Sequence, residues 1–146
     1  MSGSSMSVAE RSARAMWDGD HASRWFGMEL GDVAEGAATL TMTVADHHCN
    51  GHGTCHGGVI FALADSAFAF ACNSRNQATV AMHCMVSFLA PGRAGDLLTA
   101  TAREVQLEGR NGIYDVAVTG PSGTIAQFRG VSRALGKPIY DDEDTP

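Results

Sequence analysis

The apolar and polar positions along the chain predict one long buried helix. Val59 to Cys72 is the longest apolar run, in which 12 of 14 residues are apolar. Its five alanines favour a helix, and a helix that is apolar on every side is expected to be buried on every side. The run is too short to span a membrane, which needs about 20 residues. It therefore predicts the central helix of a domain, entered through Gly57-Gly58 and ending near Asn73.

Segments with strand-like patterns lie on both sides of this helix. Leu40, Met42 and Val44 alternate with threonines after a Glu35-Gly36 turn, which indicates a hairpin. A later segment changes its apolar phase near Val105, which predicts a β-bulge or a strand covered on both faces. The predicted strands are residues 28–34, 37–44, 79–89, 97–108, 113–118 and 124–134, and residues 7–17 are predicted to form a helix.

The order of these elements predicts an α+β fold. A curved antiparallel sheet around one all-apolar helix satisfies every apolar face of the pattern. The sequence divides into an N-terminal segment (residues 1–16, partly disordered and then helical), a domain (17–136) and an acidic tail (137–146). The tail is expected to be solvated and disordered, since blocks of like charge repel one another.

Charge and composition narrow the classes of function. The chain of 146 residues carries 16 acidic and 10 basic residues, a net charge of −6. Four acidic residues lie in the last six positions, which leaves 12 acidic and 10 basic residues elsewhere. Nucleic acid is not an expected partner, because phosphate binding needs clustered lysine and arginine. The first residues are rich in Gly and Ser, without the apolar region of a signal peptide, so we expect a cytoplasmic protein with free cysteines.

Asp65 is the most informative residue, because it lies in the middle of the apolar run. An ionised carboxylate among apolar neighbours is unfavourable unless it is paired or hydrogen-bonded. It is either a structural acid bound to a helix end or an arginine, or a carboxylate held at a pocket or interface for general-base or nucleophilic catalysis. The loop that precedes the helix favours the second interpretation.

That loop, Asn50 to Gly58, contains four glycines, which let the backbone approach a ligand closely. The N-terminus of a helix also offers unpaired N–H groups and a partial positive charge. A carbonyl oxygen that gains negative charge in a transition state would be stabilised there, as in an oxyanion hole. The alternative is a plain entry loop, and the glycines do not form a phosphate-binding loop with its lysine.

The same stretch contains six possible metal ligands in ten residues, which are His47, His48, Cys49, His52, Cys55 and His56. Zinc sites usually combine two spaced pairs of such residues, and no second pair follows downstream. We therefore expect no metal. His56 is instead expected to hydrogen-bond the start of the helix, and the other three histidines are expected to lie largely on the surface.

The spacing of Gly57 and Asp65 limits how they could act together. Eight residues along one helix separate them by about 12 Å, so one carbonyl group cannot contact both. Either the two residues are unrelated, or the N–H donor of one chain faces the acid of another. The second possibility predicts a symmetric dimer with two composite sites. It also suits a chain too short to enclose a deep cavity in addition to its core.

The residues of this region resemble the hot-dog-fold acyl-CoA thioesterases of the PaaI type, a family associated with phenylacetate degradation. The resemblance rests on Asn50 to Ser74, where N-x-x-G-x-x-H-G-G is followed by an acid eight residues after the first glycine of H-G-G. The stretches Phe88 to Ala102, Gly109 to Val118 and Phe128 to Gly130 are also similar. In all, the resemblance covers Trp17 to Leu135.

The resemblance implies a hot-dog fold, a long central helix wrapped by a curved antiparallel sheet, in dimers that commonly pair into tetramers. It implies that the Gly57 N–H binds the thioester oxygen and that Asp65 of the partner chain attacks the carbonyl or activates a water. Asn50 would hold that water or the leaving sulfur. His56 would fix the loop and polarise the carbonyl.

Further residues are candidates for substrate binding by their place in the family pattern. Ser66 is expected to hydrogen-bond near the acid or to a backbone carbonyl of its own helix. Arg110 and Arg129 either bind the CoA phosphates or are solvated surface residues. The full substrate-binding set is Gly58, Ser66, Arg110, Asn111, Gly112, Arg129 and Gly130. Ala81 and Met82 occupy positions where some relatives carry a hydroxyl group.

The expected function is hydrolysis of an aryl- or (hydroxy)phenylacetyl-CoA thioester to the free acid and CoA. Coenzyme A is part of the substrate, and no other cofactor is expected. The alternatives are a thioesterase for medium- or long-chain aliphatic acyl-CoA, a hydratase or dehydratase acting on an acyl thioester, and a non-catalytic acyl-CoA-binding protein. A buried acid argues against mere binding, because binding alone does not require one.

Overall fold

A computed structural model describes residues 5–142. The helices in this part of the chain are α1 (Val8–Gly19), α2 (His21–Trp25) and α3 (Gly57–Cys72), with a 3-10 turn at Asp46–His48. The strands are β1 (Glu29–Ala34), β2 (Ala37–Thr43), β3 (Thr79–Phe88), β4 (Leu97–Glu108), β5 (Asn111–Gly120) and β6 (Gly123–Ala134). Each predicted helix and strand is confirmed with small shifts at its ends, whereas α2 and the 3-10 turn were not predicted.

The strands form one antiparallel sheet in the order β1-β2-β4-β5-β6-β3. Tight turns join β4 to β5 and β5 to β6, while β3 follows α3 and lies at the edge beside β6. Helix α3 contacts all six strands. The predicted α+β hot-dog architecture, a sheet wrapped around one long helix, is therefore confirmed.

Strand β4 shows why its apolar pattern changes phase. Leu98, Ala100 and Ala102 are buried and belong to the core. The pairing with β5 then shifts between Glu104 and Gln106, so Val105 lies in a bulge and is exposed. The first of the two predicted explanations, a β-bulge, is correct.

Helix α3 is buried on most of its surface but not on every side, which corrects the prediction. Its buried side chains include Ile60, Leu63, Ala67 and Phe68. A stripe at the helical spacing 58, 62, 65 and 69 is exposed or half-buried. The sheet wraps the helix from one side only, so this stripe, which contains Asp65, is left without a full cover.

The segments flanking the predicted domain also pack on it in their described parts. Helix α1 begins with a capping box of Ser7 and Glu10 and contributes Ala13 to the core. At the other end, Ala78 N–H donates to the carbonyl of Lys137, and Ile139 N–H donates to Asn76. The predicted disorder of the tail is therefore wrong for residues 137–140, which make hydrogen bonds to the domain. The predicted disorder of residues 1–4 and 143–146 falls outside the described residues.

All four cysteines are free thiols, as expected. Cys55 and Cys72 are buried, and burial raises the pKa of Cys55 to about 11 and that of Cys72 to about 12. Both thiols are therefore protonated near neutral pH. No helix among residues 5–142 is long and apolar enough to cross a membrane.

Gly130 allows β6 to pack closely against α3. A Cβ atom at this position would lie 2.7 Å from Cζ of Phe68, whose buried ring packs against Tyr114 and Phe128. We expect Gly130→Ala to lower the free energy of unfolding by about 1–3 kcal/mol, because the ring must shift within a close-packed core. Urea denaturation of the variant and parent measures this change.

The matched control is Gly19→Ala, because a Cβ at the end of α1 meets nothing within 4 Å. This variant is expected to be neutral or slightly stabilising. Equal loss of stability in the two variants would contradict the close-packing role of Gly130.

Candidate active site

The loop before α3 is held in shape by Asn50. Its Oδ1 accepts hydrogen bonds from the N–H of His52 at 2.9 Å and from the N–H and hydroxyl of Thr54, both at 3.3 Å. The backbones of Cys49 and Cys55 form an isolated antiparallel β-bridge where the loop begins and ends. Asn50 therefore fixes the loop through its oxygen, and its carboxamide nitrogen is the group left to meet a ligand.

The start of α3 presents an unpaired N–H group. Nδ1 of His56 accepts a hydrogen bond from Gly58 N–H at 2.9 Å, and the carbonyl of His56 accepts from Val59 and Ile60. The expected helix-start bond of His56 is thus confirmed, and in the neutral ring the proton lies on Nε2. The Gly57 N–H has no acceptor among residues 5–142. It is a donor at the positive end of the helix dipole.

Two separate cavities border α3 and lie near opposite ends of β3. Gly57 lines one of about 350 Å³, together with Cys55, Ile60, Phe88, Leu89, Ala90 and Pro91. Asp65 lines the other, of about 540 Å³, whose walls include Thr79, Val80 and Ala81. Both residues lie on the same helix, about 12 Å apart along its axis. A single chain therefore does not bring the N–H donor and the acid to one carbonyl group.

Asp65 is half-buried on the incompletely covered stripe of α3. In the described part of the chain its carboxylate has neither a hydrogen-bond nor an ion-pair partner. Burial raises its pKa, because the apolar surroundings disfavour the charged form. An unpaired carboxylate of raised basicity in the wall of a cavity has the properties of a nucleophile or general base.

Ser66 does not bond where the sequence predicted. Its hydroxyl lies 2.8 Å from the hydroxyl of Ser23, which in turn donates to Oδ2 of Asp20 at 2.7 Å. Because Ser23 uses its proton on Asp20, Ser66 is the donor to Ser23. Neither predicted partner, the site acid or a carbonyl of α3, is the one observed. The serine instead ties α3 to α2, a helix that the sequence did not reveal.

His48 is buried, which corrects the expectation that it lies on the surface; His47 and His52 are exposed as expected. Nδ1 of His48 accepts from Ala45 N–H at 2.9 Å, and Nε2 donates to the carbonyl of Phe26 at 2.8 Å. Burial lowers the pKa of the ring. His48 is therefore a neutral structural link between loop and α2, and residues 5–142 contain no group of three side chains arranged to hold a metal.

The candidate CoA-binding residues are spread over the sheet. Arg110 and Asn111 are exposed at the β4–β5 turn, and Asn111 accepts from Arg133 at 3.5 Å. Arg129 lies further along β6, on the face opposite the buried Phe128. Its guanidinium makes two bonds to the carboxylate of Asp115, at 2.6 and 2.8 Å. One chain therefore does not gather these residues into one site.

Two of the three glycines in the predicted substrate-binding set, Gly112 and Gly130, have packing roles that the sequence did not indicate. At Gly112 a Cβ atom would lie 2.8 Å from the Tyr114 ring and 2.9 Å from Oγ of Ser132. At Gly130 it would meet Phe68. Close packing explains both glycines without a ligand, and their predicted roles in substrate binding stay predictions.

Comparison with known proteins identifies the class. The sequence profile of the thioesterase superfamily matches residues 52–126, from the loop through α3 to the start of β6. The chain belongs to the thioesterase superfamily. It is 44% identical over 132 residues to the acyl-coenzyme A thioesterase PaaI of Escherichia coli K12, covering 90% of this chain and 94% of that protein. Within the superfamily it is an acyl-CoA thioesterase of the PaaI type.

Solved structures agree with this assignment. The E. coli PaaI protein from the phenylacetic acid degradation operon has a TM-score of 0.88 at 43% identity, covering 90% of this chain and 96% of that chain. A Streptococcus mutans protein bound to acetyl CoA has a TM-score of 0.73 at 26% identity, covering 76% and 90%. The predicted family and enzyme class are confirmed.

The raised pKa of Asp65 predicts a stability change on substitution. The folded state disfavours the charged carboxylate, so the pKa of Asp65 is higher in the folded than in the unfolded protein. The contribution of Asp65 to the free energy of unfolding is therefore most favourable below the unfolded pKa, and it is lost as pH rises through the folded pKa. We expect Asp65→Asn to be more stable than the parent at pH 7. The difference should shrink as pH falls through the raised pKa, measured by thermal unfolding at several pH values.

Asp32→Asn is the control, because Asp32 is exposed on β1. This substitution is expected to change the free energy of unfolding by less than about 0.5 kcal/mol at each pH. A parent protein more stable than Asp65→Asn at pH 7 would show that the carboxylate has a stabilising partner.

Proposed function

We propose that the enzyme hydrolyses an aryl- or (hydroxy)phenylacetyl-CoA thioester at two composite sites of a symmetric dimer, with Asp65 as nucleophile or general base. The observation that carries the proposal is a pair of groups on α3, the Gly57 N–H and the Asp65 carboxylate, that have no partner among residues 5–142 and open into different cavities. The half of the site at Gly57 has the N–H donor but no carboxylate, and the half at Asp65 has the carboxylate but not that donor. A second chain would supply the missing half.

Strand β3 offers a surface for that second chain. It is an edge of the sheet, and large apolar side chains along and just after it are exposed: Val80, Met82, Met85, Phe88 and Leu89. An unpaired edge is a template for another strand. Antiparallel pairing of two β3 strands about a two-fold axis sets the start of each beside the end of the other. The Asp65 cavity of one chain would then adjoin the Gly57 cavity of its partner.

In this arrangement the Gly57 N–H donates to the thioester oxygen as that oxygen gains negative charge. The carboxylate of the partner's Asp65 either attacks the carbonyl carbon, giving an anhydride that water then cleaves, or removes a proton from an attacking water. Collapse of the tetrahedral intermediate expels CoA as the thiolate. The Asn50 carboxamide nitrogen is the donor proposed to hold that water or the leaving sulfur, and Nε2–H of His56 is the donor proposed to polarise the carbonyl.

Two lines of support bear on the acyl group. The E. coli relative of known structure comes from the phenylacetic acid degradation operon, and the cavity beside Asp65 is lined largely by apolar side chains. Medium- or long-chain aliphatic acyl-CoA is the alternative substrate, and non-catalytic binding of acyl-CoA is the alternative function. Arg110 and Arg129 stay the proposed phosphate-binding residues. Association of two dimers into a tetramer and a cytoplasmic location also stay proposals.

Hydrolysis of a panel of aryl- and alkyl-CoA thioesters tests the proposal. We expect the highest kcat/KM with phenylacetyl-type substrates and a loss of about 100-fold or more in Asp65→Asn, because general-base or nucleophilic assistance is removed. Asp32→Asn should keep the parental rate. Because the acting form of Asp65 is ionised, the parental rate should fall as pH falls through its raised pKa. Full activity of Asp65→Asn would remove this residue from the mechanism.

The oxyanion donor can be removed with a matched steric control. Gly57 is the first residue of α3, a position that tolerates proline, and His56 has the extended backbone that precedes proline (φ −59°, ψ 135°). Gly57→Pro lacks the N–H and should lose about 100-fold to 1,000-fold in kcat. Gly57→Ala adds a Cβ against Phe88 but keeps the N–H, so it should lose much less.

Mixing the two inactive variants tests the composite site. In a mixed dimer of Asp65→Asn and Gly57→Pro, one site would combine an intact N–H with an intact carboxylate. Equal mixing with full subunit exchange should restore about a quarter of the parental activity, since half of the dimers carry one working site of two. No recovery in a mixture with confirmed exchange would show that both groups act within one chain or not together.

A further inference from the structure

The cavity beside Asp65 is closed on one side by residues that follow the last strand. We name residues 135–140 the C-terminal strap. Leu135, Lys137, Pro138 and Ile139 of the strap line the cavity, as does Met16 of α1. The strap is not part of the sheet, which ends with Ala134. Its described contacts therefore hold it where it is.

Asn76 is the main contact that fixes the strap. Its Oδ1 accepts from the N–H groups of Ile139 and Tyr140, both at 2.9 Å, and its Nδ2 donates to the carbonyl of Tyr140 at 3.1 Å. Asn76 itself has a left-handed backbone (φ 56°), which asparagine tolerates better than most residues. Its N–H donates to Oγ of Ser12 in α1. The side chain of Asn76 thus joins the turn between α3 and β3 to the strap, and its backbone N–H joins the same turn to α1.

The walls of the cavity offer an acyl group almost no free polar partner. Asn73 uses Oδ1 on Thr79 N–H and Nδ2 on the carbonyls of Ala69 and Thr79. The Thr79 hydroxyl donates to the carbonyl of Gln77. Apart from Asp65 and the exposed Lys137, the other lining side chains are apolar, among them Phe68, Cys72, Val80 and Ile139. The cavity therefore suits an apolar group, whose carbonyl end meets Asp65.

We propose, on the basis of the function proposed above, that the C-terminal strap is the end wall of the acyl compartment and selects apolar acyl groups by their length. Ile139 is the specificity-determining residue of this wall, because it lines the cavity and its own backbone is held by Asn76. Asn76 is a positioning residue that acts through the strap. The enzyme would thus discriminate between acyl groups with a segment outside its sheet and central helix.

Ile139→Ala tests the wall directly. Shortening the side chain should make room for a longer acyl group and raise the ratio of kcat/KM for decanoyl-CoA to that for phenylacetyl-CoA by about tenfold or more. A single methylene group in an apolar pocket already changes kcat/KM by about tenfold or more, and this substitution removes more than one carbon atom. KM for phenylacetyl-CoA should rise while kcat stays within about twofold, because the contact is remote from the reacting carbonyl. Val105→Ala, which truncates an exposed β-branched residue at the bulge, should leave the ratio unchanged.

Asn76→Gly tests the positioning role without backbone strain, because glycine adopts the left-handed conformation freely. It removes the three side-chain hydrogen bonds to the strap and should shift the ratio in the same direction as Ile139→Ala. Gln77→Ala, at the exposed neighbour, is the control. Thermal unfolding of each variant identifies any that fails to fold, in which case Ile139→Ala decides.

The outcomes separate this inference from the proposed function. A parental enzyme that hydrolyses these thioesters, with a selectivity ratio unchanged in folded Ile139→Ala, would overturn the wall and leave the proposed function standing. A parental enzyme that hydrolyses none of them would overturn both. A shift with Ile139→Ala but none with folded Asn76→Gly would keep the wall and remove the positioning role of Asn76.

Discussion

The packing of α3 into the curved sheet is the contact on which the rest of the structure depends. The helix touches every strand, and its buried side chains supply much of the single core. The approach is close enough that Gly130 on β6 must lack a side chain opposite Phe68. Because the sheet can wrap the helix from one side only, an all-apolar helix keeps one stripe without a complete cover. Asp65 lies on that stripe.

The same packing explains why the proposed catalytic groups, the Gly57 N–H and the Asp65 carboxylate, do not meet in one chain. A chain of this length forms one core around one helix, and little material remains to enclose a deep site. The N-terminus of α3 and its centre, about 12 Å apart, open into separate cavities. The edge strand β3 runs between these two regions with its apolar side chains exposed. In the proposed dimer, such an enzyme would gain its second half-site from symmetry rather than from additional sequence.

Local patterns were enough to predict the main elements, and they single out the Asn50–Gly58 loop and Asp65 as a candidate site, which stays a prediction. The apolar run marked α3, alternation marked β2, and the phase change near Val105 marked a bulge. What local patterns could not show are contacts between residues far apart in sequence. Ser23 and Ser66 are 43 positions apart, and Asn76 and Tyr140 are 64 apart. Hence the true partner of Ser66 and the strap were missed. Helix α2 was missed for a different reason, because its five residues are too few to show a helical apolar period.

No packing argument explains why Asp65 has no partner in the described part of the chain. A half-buried carboxylate without a partner is disfavoured in the folded state, and its raised pKa expresses that penalty. An apolar acyl group in the adjoining cavity would exclude water further. That exclusion would strengthen the hydrogen bond from the Gly57 N–H to a developing oxyanion and make the carboxylate still more basic. The arrangement that weakens the folded state is thus the one that would favour the proposed attack on a thioester.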